Sequence, residues 1–162
     1  MSHSDLSEDQ YDAFQRCIKG QNVFITGPGG CGKSYLLHTI VKALTETQRK
    51  VQVCAMTGTA AILLDCNAKT LHSWSGIGQG KGEHQRIVTS IVLNKFKRKA
   101  WKNTDVLTLD EVSMLSKHLF ELLDEIGKRV RKNGMPFGGI QLIFTGDFLQ
   151  LPPVPNNGDP DS

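Results

Sequence analysis

The sequence predicts one α/β domain built on a parallel β-sheet with helices on both faces. Short apolar strands alternate with helical segments along the 162 residues, which is the pattern of right-handed βαβ units. A glycine-rich loop at residues 27–34 joins the first strand to a helix, and Asp110 and Glu111 end a later strand. We expect the loop and the two acids to share one edge of the sheet, because open α/β sheets bind ligands at the carboxyl ends of their strands.

The composition is that of an ordinary globular domain. Hydrophobic residues make up 39% of the sequence and charged residues 22%, which is enough for one sizeable core. The net charge of +3 is modest, so a site for a polyanion should be a local patch. No apolar signal segment opens the sequence, and no apolar run reaches membrane-spanning length. We therefore expect a soluble intracellular protein with no membrane partner, in the nucleus or mitochondrion of a eukaryote and otherwise in the cytoplasm.

The cysteines are widely spaced and form no C-x-x-C pair. With no histidine couple nearby, this spacing argues against both a zinc site and a disulfide framework. We expect reduced thiols at all four positions, which are Cys17, Cys31, Cys54 and Cys66.

The stretch Gly-Pro-Gly-Gly-Cys-Gly-Lys-Ser at residues 27–34 matches the phosphate-loop pattern G-x-x-x-x-G-K-[ST]. A β-branched apolar run precedes it and a segment with helical spacing follows it, so the loop joins a buried strand to a helix. Lys33 is predicted to contact the β- and γ-phosphates of a nucleotide, and the Ser34 hydroxyl is predicted to hold Mg²⁺. The glycines allow several backbone N–H groups to point at one anion. They are Gly27, Gly29, Gly30 and Gly32.

Residues 6–19 are predicted to form an amphipathic helix that Ser7 caps and Gly20 ends. Two roles are open for Gln10 in this helix. It completes a capping box with Ser7, or its amide presents a donor and an acceptor to the edge of an adenine. The two roles could coexist only in part.

After a predicted strand at residues 51–55, Thr57, Gly58 and Thr59 precede a helix. Capping is the ordinary role of such hydroxyls. In a nucleotide-driven motor, the same hydroxyls and free amides would hold a nucleic-acid phosphate. Further on, His72 and Trp74 are either ordinary structural residues or contacts to a single strand, because an aromatic ring can stack on a base.

A one-sided basic stretch lies between Glu83 and Asp105, where no acidic residue occurs. A single helix over residues 86–99 is predicted to carry its cations beside apolar residues. This surface is either a solvated face or a contact for a polyanion or a protein. The cations are Arg86, Lys95, Lys97, Arg98, Lys99 and Lys102.

Asp110 and Glu111 follow an apolar strand that begins near Asp105. Asp110 is predicted to hold Mg²⁺ through water, and Glu111 is predicted to orient and deprotonate the attacking water. The pair could instead open a helix, but downstream of a phosphate loop it favours nucleotide hydrolysis. Gln150 lies beyond a predicted strand at residues 141–145, on the same edge. There it is either an ordinary loop residue or an amide that senses the γ-phosphate.

Together these motifs resemble the petite integration frequency (Pif) family of DNA helicases, in the RecD-like branch of superfamily one. The resemblance covers nearly the whole chain, and its most diagnostic stretch is residues 146–153. The segments that carry it are Leu6–Gln10, Gly27–Ser34, Thr57–Ala61, Thr70–Gly78, Asp110–Met114, Pro136–Gln141 and Gly146–Pro153.

The resemblance implies a RecA-like first motor domain at residues 1–151, which uses ATP and Mg²⁺. It implies movement along single-stranded DNA and 5′-to-3′ unwinding in DNA repair, recombination and telomere maintenance. It also favours adenine contact for Gln10 and DNA contact for His72. Residues 152–162 are rich in Pro, Asn and Asp, and we expect them to be disordered or to start a further segment.

The resemblance further implies a second RecA-like domain, in cis or in trans, that supplies arginines to the ATP cleft. An arginine finger is worth roughly 10³ to 10⁵ in rate, so we expect this chain alone to bind ATP far better than it hydrolyses it. The alternative is a nucleotide-dependent module that binds DNA or a protein without unwinding. A metabolic kinase would explain the phosphate loop but not residues 146–153.

Overall fold

The computed structural model describes residues 6–26, 31–79 and 81–146, apart from the side chains of residues 31 and 32. Within these ranges the strands are β1 (Val23–Thr26), β2 (Val51–Ala55), β3 (Lys69–Thr70), β4 (Val106–Asp110) and β5 (Gln141–Gly146). The helices in the same ranges are α1 (Glu8–Ile18), α2 (Cys31–Glu46), α3 (Gly58–Leu64), α4 (Leu71–Ser75), α5 (His84–Leu93), α6 (Lys95–Lys102) and α7 (Lys117–Arg131). The 3₁₀ turns Val112–Met114 and Pro136–Gly139 lie on either side of α7.

The described strands form a parallel sheet in the order β1-β5-β4-β2-β3. The predicted α/β fold with a parallel sheet is therefore confirmed. Four of these strands lie where the apolar runs predict them, and β2 has the predicted bounds. The sequence gives no signal for β3, because two residues are too few to show any periodicity.

Helices cover both faces of the sheet. Along β4, Val106 packs with α1 and α2, whereas Leu107 and Leu109 pack with α4, α5, α6 and α7. Helix α3 packs with α2 against Val53 and Ala55 of β2. A strand that is buried on both faces is a nearly continuous apolar run, which explains why residues 106–109 are recognisable as a strand in the sequence.

Gln141, the first residue of β5, fixes α1 against the sheet. Its Nε2 donates to the carbonyl oxygens of Cys17, at 2.9 Å, and Gln21, at 2.8 Å. Arg49 joins the same network, since Nη1 donates to Gln141 Oε1 at 3.3 Å and Nη2 donates to the Ile18 carbonyl at 3.2 Å. These side chains add hydrogen bonds to carbonyls in the last turn of α1 and just beyond it, where a helix lacks its regular N–H donors.

The predicted single helix over residues 86–99 is wrong, because the chain breaks at Asn94. The Asn94 backbone is extended, with φ −94° and ψ 115°. Its Oδ1 accepts hydrogen bonds from the backbone N–H groups of Phe96, at 3.0 Å, and Lys97, at 3.1 Å. An asparagine that caps in this way competes with a continuous helix, so α5 ends and α6 begins around it.

The cysteines that the structure describes are free thiols, in agreement with the prediction: Cys17, Cys54 and Cys66. Burial raises the pKa of Cys17 and of Cys54 to about 12. These two thiols are therefore protonated at neutral pH and are poor nucleophiles. Over the described ranges, no helix is both long and apolar enough to cross a membrane.

Candidate active site

Parallel strands bring the predicted site residues to one edge of the sheet. Thr26 at the end of β1 pairs with Gly146 at the end of β5, and Ala55 at the end of β2 pairs with Asp110 at the end of β4. The phosphate loop follows Thr26, and the segment that begins at Thr57 follows Ala55. The end of the strand that precedes the loop, the two acids and the segment from Thr57 therefore lie at one edge of the sheet, the edge where open α/β sheets bind ligands.

The phosphate loop is the connection between β1 and α2. Because β1 ends at Thr26 and α2 begins at Cys31, the predicted order of strand, loop and helix is confirmed. Gly32, Lys33 and Ser34 lie in the first turn of α2, and the Lys33 and Ser34 side chains are half-buried. The N–H groups and the dipole at such a helix start favour an anion. The predicted site residues that lie outside the described ranges are Gly27, Gly29, Gly30 and Gln150.

Asp110 is held in place by Thr145, a residue that the sequence analysis missed. The Thr145 hydroxyl, on the neighbouring strand β5, donates to Asp110 Oδ1 at 2.6 Å. Thr145 is 2% exposed, so this bond is shielded from water and fixes the rotation of the carboxylate. The sequence signal for Thr145 is a hydroxyl residue near the end of an apolar run that forms another strand of the same sheet.

Glu111 adopts a left-handed backbone conformation, with φ 61° and ψ 38°. This conformation is unusual for a residue with a side chain, costs of order 1–3 kcal/mol and is concentrated at functional sites. It turns the chain out of β4 and into the 3₁₀ turn Val112–Met114. Gly146 allows this turn to lie against β5, because a Cβ added there would come within 2.9 Å of Val112 Cγ1.

The Glu111 side chain contacts Thr57, which ends the loop after β2. Thr57 Oγ1 donates to Glu111 Oε1 at 3.3 Å, and it also accepts from the backbone N–H of Ala60 at 3.2 Å. Of the two threonines that could cap α3, Thr57 is the one that does so. The contact joins the candidate catalytic acid to the candidate DNA-binding segment.

Gln10 forms the capping box that its spacing from Ser7 predicts. The Ser7 hydroxyl accepts from the backbone N–H of Gln10 at 3.2 Å, and Gln10 Oε1 accepts from the backbone N–H of Ser7 at 2.9 Å. The structural role of Gln10 is therefore confirmed. Contact between its amide and adenine remains a prediction.

The other candidate DNA contacts differ in exposure. Gly58 and Thr59, in the first turn of α3, are exposed, whereas the side chains of Thr57 and His72 are half-buried. His72 lies in the short helix α4, which Thr70 caps with a hydrogen bond from the Ser73 N–H at 3.2 Å.

Of the two roles left open for Trp74, the structure supports the structural one and not stacking on a base, because the Trp74 ring is in the core. Trp74 is 4% exposed, and its ring centroid lies 4.5 Å from that of Trp101. Its Nε1 donates to the Thr104 hydroxyl at 3.3 Å, and Trp101 Nε1 donates to the carbonyl of Ser75 at 2.9 Å. Trp74 therefore joins α4 to α6 and offers no open face to a ligand.

The basic stretch is exposed along α6, where Lys95, Lys97 and Lys99 lie close to Phe96 in sequence and are exposed like it. Phe96 is 84% exposed, although the sequence pattern placed it with the apolar face of a helix. The break at Asn94 explains this difference, since it changes the direction of the face that Phe96 occupies.

The oxygen donors at this edge suit Mg²⁺. Ser34 offers a hydroxyl and Asp110 offers a carboxylate, and hard divalent cations prefer oxygen ligands. Thr145 fixes the orientation of Asp110, as outer-shell partners of ligating carboxylates do.

A parallel sheet with a phosphate loop after β1 and two acids at the end of a central strand defines a RecA-like nucleotide-binding domain. The chain belongs to the PIF1-like helicase family, whose model matches residues 5–162. It is 50% identical over 143 residues to the ATP-dependent DNA helicase PIF1 of Emericella nidulans, covering 85% of this chain and 19% of that protein. It is 41% identical over 155 residues to human ATP-dependent DNA helicase PIF1, covering 96% of this chain and 23% of that protein.

Solved structures agree with this assignment. The crystal structure of Pif1 helicase from Candida albicans matches with a TM-score of 0.85 and 42% identity, over 95% of this chain and 35% of that one. Bacteroides Pif1 bound to single-stranded DNA matches with a TM-score of 0.73 and 29% identity, over 95% of this chain and 34% of that one. The chain thus spans about a fifth of the length of the curated relatives named here.

Proposed function

We propose that this chain is the first motor domain of an ATP-dependent 5′-to-3′ DNA helicase. The observation that carries the proposal is that Thr26, which precedes the phosphate loop, and Asp110 end parallel strands at one sheet edge, with Thr57 bonded to Glu111 beside them. Two solved structures support it, since Bacteroides Pif1 has been crystallised with ADP-AlF4 and with single-stranded DNA.

The start of α2 binds the triphosphate in this proposal. The loop and helix N–H groups surround the phosphate oxygens, and Lys33 adds a full positive charge. Ser34 and Asp110 hold Mg²⁺, which when bound neutralises charge that develops on the phosphates. Gln10 contacts the adenine, and Gln150 senses the γ-phosphate.

Glu111 is the general base of the proposed hydrolysis. Its carboxylate orients a water molecule in line with the γ-phosphate and accepts a proton from it. The water oxygen bonds to the γ-phosphorus as the bond from that phosphorus to the bridging oxygen breaks, and ADP leaves with the bridging oxygen. The left-handed backbone at Glu111 and the short turn that follows fix where this carboxylate lies.

Thr57, Gly58, Thr59 and His72 are the proposed contacts to the single strand. Gly58 and Thr59 are exposed beside the catalytic edge, and backbone amides and hydroxyls commonly bind nucleic-acid phosphates. A second RecA-like domain, in cis or in trans, supplies the arginine finger and completes the cleft.

Replacing Lys33 with alanine tests the proposed ATP site. Loss of a charge-assisted contact costs about 1.5–3 kcal/mol, so we expect ATP to bind about 10- to 150-fold more weakly. The measurement is ATP affinity, followed by ATP turnover at low salt with and without a poly-thymidine oligonucleotide.

Lys42→Ala is the matched control, since Lys42 is an exposed lysine on the same helix, about two and a half turns beyond Lys33. Equal ATP affinity in the two variants would rule out the proposed site. DNA-stimulated turnover that Lys33→Ala removes would support a working motor. If the chain binds ATP and DNA but does not hydrolyse ATP, the result would instead favour a binding module that cannot hydrolyse ATP without a second RecA-like domain.

Replacing Thr145 with valine tests the proposed role of Asp110. Valine keeps the shape but removes the donor to Asp110 Oδ1, and loss of an outer-shell partner typically costs about 10- to 100-fold in metal affinity or activity. We expect a higher Mg²⁺ concentration for half-maximal ATP turnover. Thr39→Val is the control, because the buried Thr39 hydroxyl donates only to the Tyr35 carbonyl within α2 among the contacts described. Equal Mg²⁺ dependence in both variants would contradict this role.

A further inference from the structure

The Thr57 hydroxyl has one proton, and the chemistry of its two hydrogen-bond partners assigns the direction of that proton. The backbone N–H of Ala60 is the donor in its bond with Thr57 Oγ1, at 3.2 Å, so that bond uses a lone pair of the hydroxyl. A carboxylate can only accept, so the bond of 3.3 Å to Glu111 Oε1 uses the proton. The Thr57 proton is therefore directed at Glu111.

The contact depends on tertiary structure that joins two distant segments. Ala55 pairs with Asp110 in adjacent parallel strands, so Thr57 and Glu111 both lie just past paired strand ends. The left-handed backbone of Glu111, with φ 61°, turns the chain at this point. Both side chains are half-buried, which limits competition from water for the bond.

We propose that Thr57 is a positioning residue that couples DNA binding to ATP hydrolysis through Glu111. This inference rests on the proposed function, in which Thr57 contacts DNA and Glu111 activates water. Without DNA, the Thr57 hydroxyl restrains the Glu111 carboxylate. When DNA binds, one of its phosphate oxygens replaces Glu111 as the acceptor of the hydrogen bond from the Thr57 hydroxyl, which keeps its proton. The carboxylate is then free to orient and deprotonate the attacking water.

The coupling must act in both directions. One hydroxyl proton cannot serve two acceptors fully, so anything that frees Thr57 from Glu111 strengthens its contact with DNA. Linkage requires that DNA binding weakens the restraint on Glu111 by the same factor. Couplings of this kind are typically about 5- to 150-fold in affinity.

A double-mutant cycle on DNA affinity tests the inference without turnover. Anisotropy of a labelled poly-thymidine oligonucleotide is measured for the wild type, Thr57→Val, Glu111→Ala and the double variant, in the absence of nucleotide. We expect Glu111→Ala to raise DNA affinity about fivefold or more when Thr57 is present, and less than about twofold when valine replaces it. Equal gains in both backgrounds would show only the loss of a negative charge, and would overturn the inference.

ATP turnover gives a second readout, measured on a form that carries a second RecA-like domain. We expect Thr57→Val to raise turnover without DNA and to remove stimulation by DNA, and Thr57→Ser to restore both. A parallel fall in the two rates, with the stimulation factor unchanged, would overturn the inference. Ser116→Ala is the matched control, because Ser116 caps α7 through the Leu119 N–H at 3.0 Å and has no carboxylate partner among the described contacts.

Thr57→Gly keeps the test usable if valine destabilises α3, since glycine is tolerated at a helix cap and has no hydroxyl. Thr57→Gly should give the same DNA-affinity cycle and the same loss of DNA-stimulated turnover as Thr57→Val. The failures of the two proposals are distinguishable. A wild-type protein that binds no single-stranded DNA contradicts the proposed function, whereas DNA binding with an additive cycle contradicts only the coupling.

Discussion

Replacing Glu111 with glutamine should lower DNA-stimulated ATP turnover by about 10² to 10⁴, the usual contribution of a general base. Glutamine keeps the size and the acceptor oxygen of the side chain but cannot take a proton from water. Because the phosphates are bound by other groups, we expect ATP affinity to change by less than about threefold. The measurement is steady-state turnover with a poly-thymidine oligonucleotide, on a form that carries a second RecA-like domain, together with ATP affinity.

Glu121→Gln is the control for this prediction, since it removes one carboxylate from an exposed position on α7. It should leave both turnover and ATP affinity at the wild-type values. A Glu111→Gln protein that keeps more than a tenth of the wild-type turnover would show that another group activates the water.

Replacing Gly138 with alanine should lower the free energy of unfolding by about 2–5 kcal/mol. Gly138 has φ +67°, and a Cβ there would lie 2.3 Å from the carbonyl oxygen of Gly127 in α7. Its own carbonyl accepts from Arg131 Nε at 2.8 Å and from Asn133 Nδ2 at 2.9 Å. The methyl group would therefore strain the backbone and push the turn Pro136–Gly139 away from α7. Urea denaturation measures the resulting loss in the free energy of unfolding.

Gly134→Ala is the matched control, because nothing lies within 4 Å of the position that its Cβ would occupy. We expect a change within about 0.5 kcal/mol, as for other surface substitutions. Similar losses in the free energy of unfolding for both variants would mean that the turn Pro136–Gly139 adapts to a side chain at position 138. This turn leads into β5 and so helps to place Thr145 and Gly146 at the active-site edge.

Features that depend on local sequence were predictable. The capping box of α1 depends on residues three apart, and the order of strand, loop and helix around residues 27–34 depends on neighbouring segments. The apolar run of β4 is continuous because both of its faces are covered. The family resemblance rests on such short motifs, and the match over residues 5–162 confirms it.

Features that depend on exposure were not predictable from the same patterns. Trp74 is apolar and aromatic whether it is buried or exposed, and only its contact with Trp101 shows that it belongs to the core. Phe96 is likewise compatible with a buried helix face until Asn94 ends α5. Composition and spacing do not predict which residues from other segments pack over a side chain, so they do not predict its exposure.

The sequence by itself determined the α/β class, the phosphate loop and the pair of acids, because each depends on residues that are adjacent in the chain and have a known local geometry. Only the tertiary structure decided what holds those acids. Thr145 reaches Asp110 because β5 lies beside β4, and Thr57 reaches Glu111 because β2 lies on the other side. Strand order is set by packing between segments far apart in the chain, so no local pattern contains it.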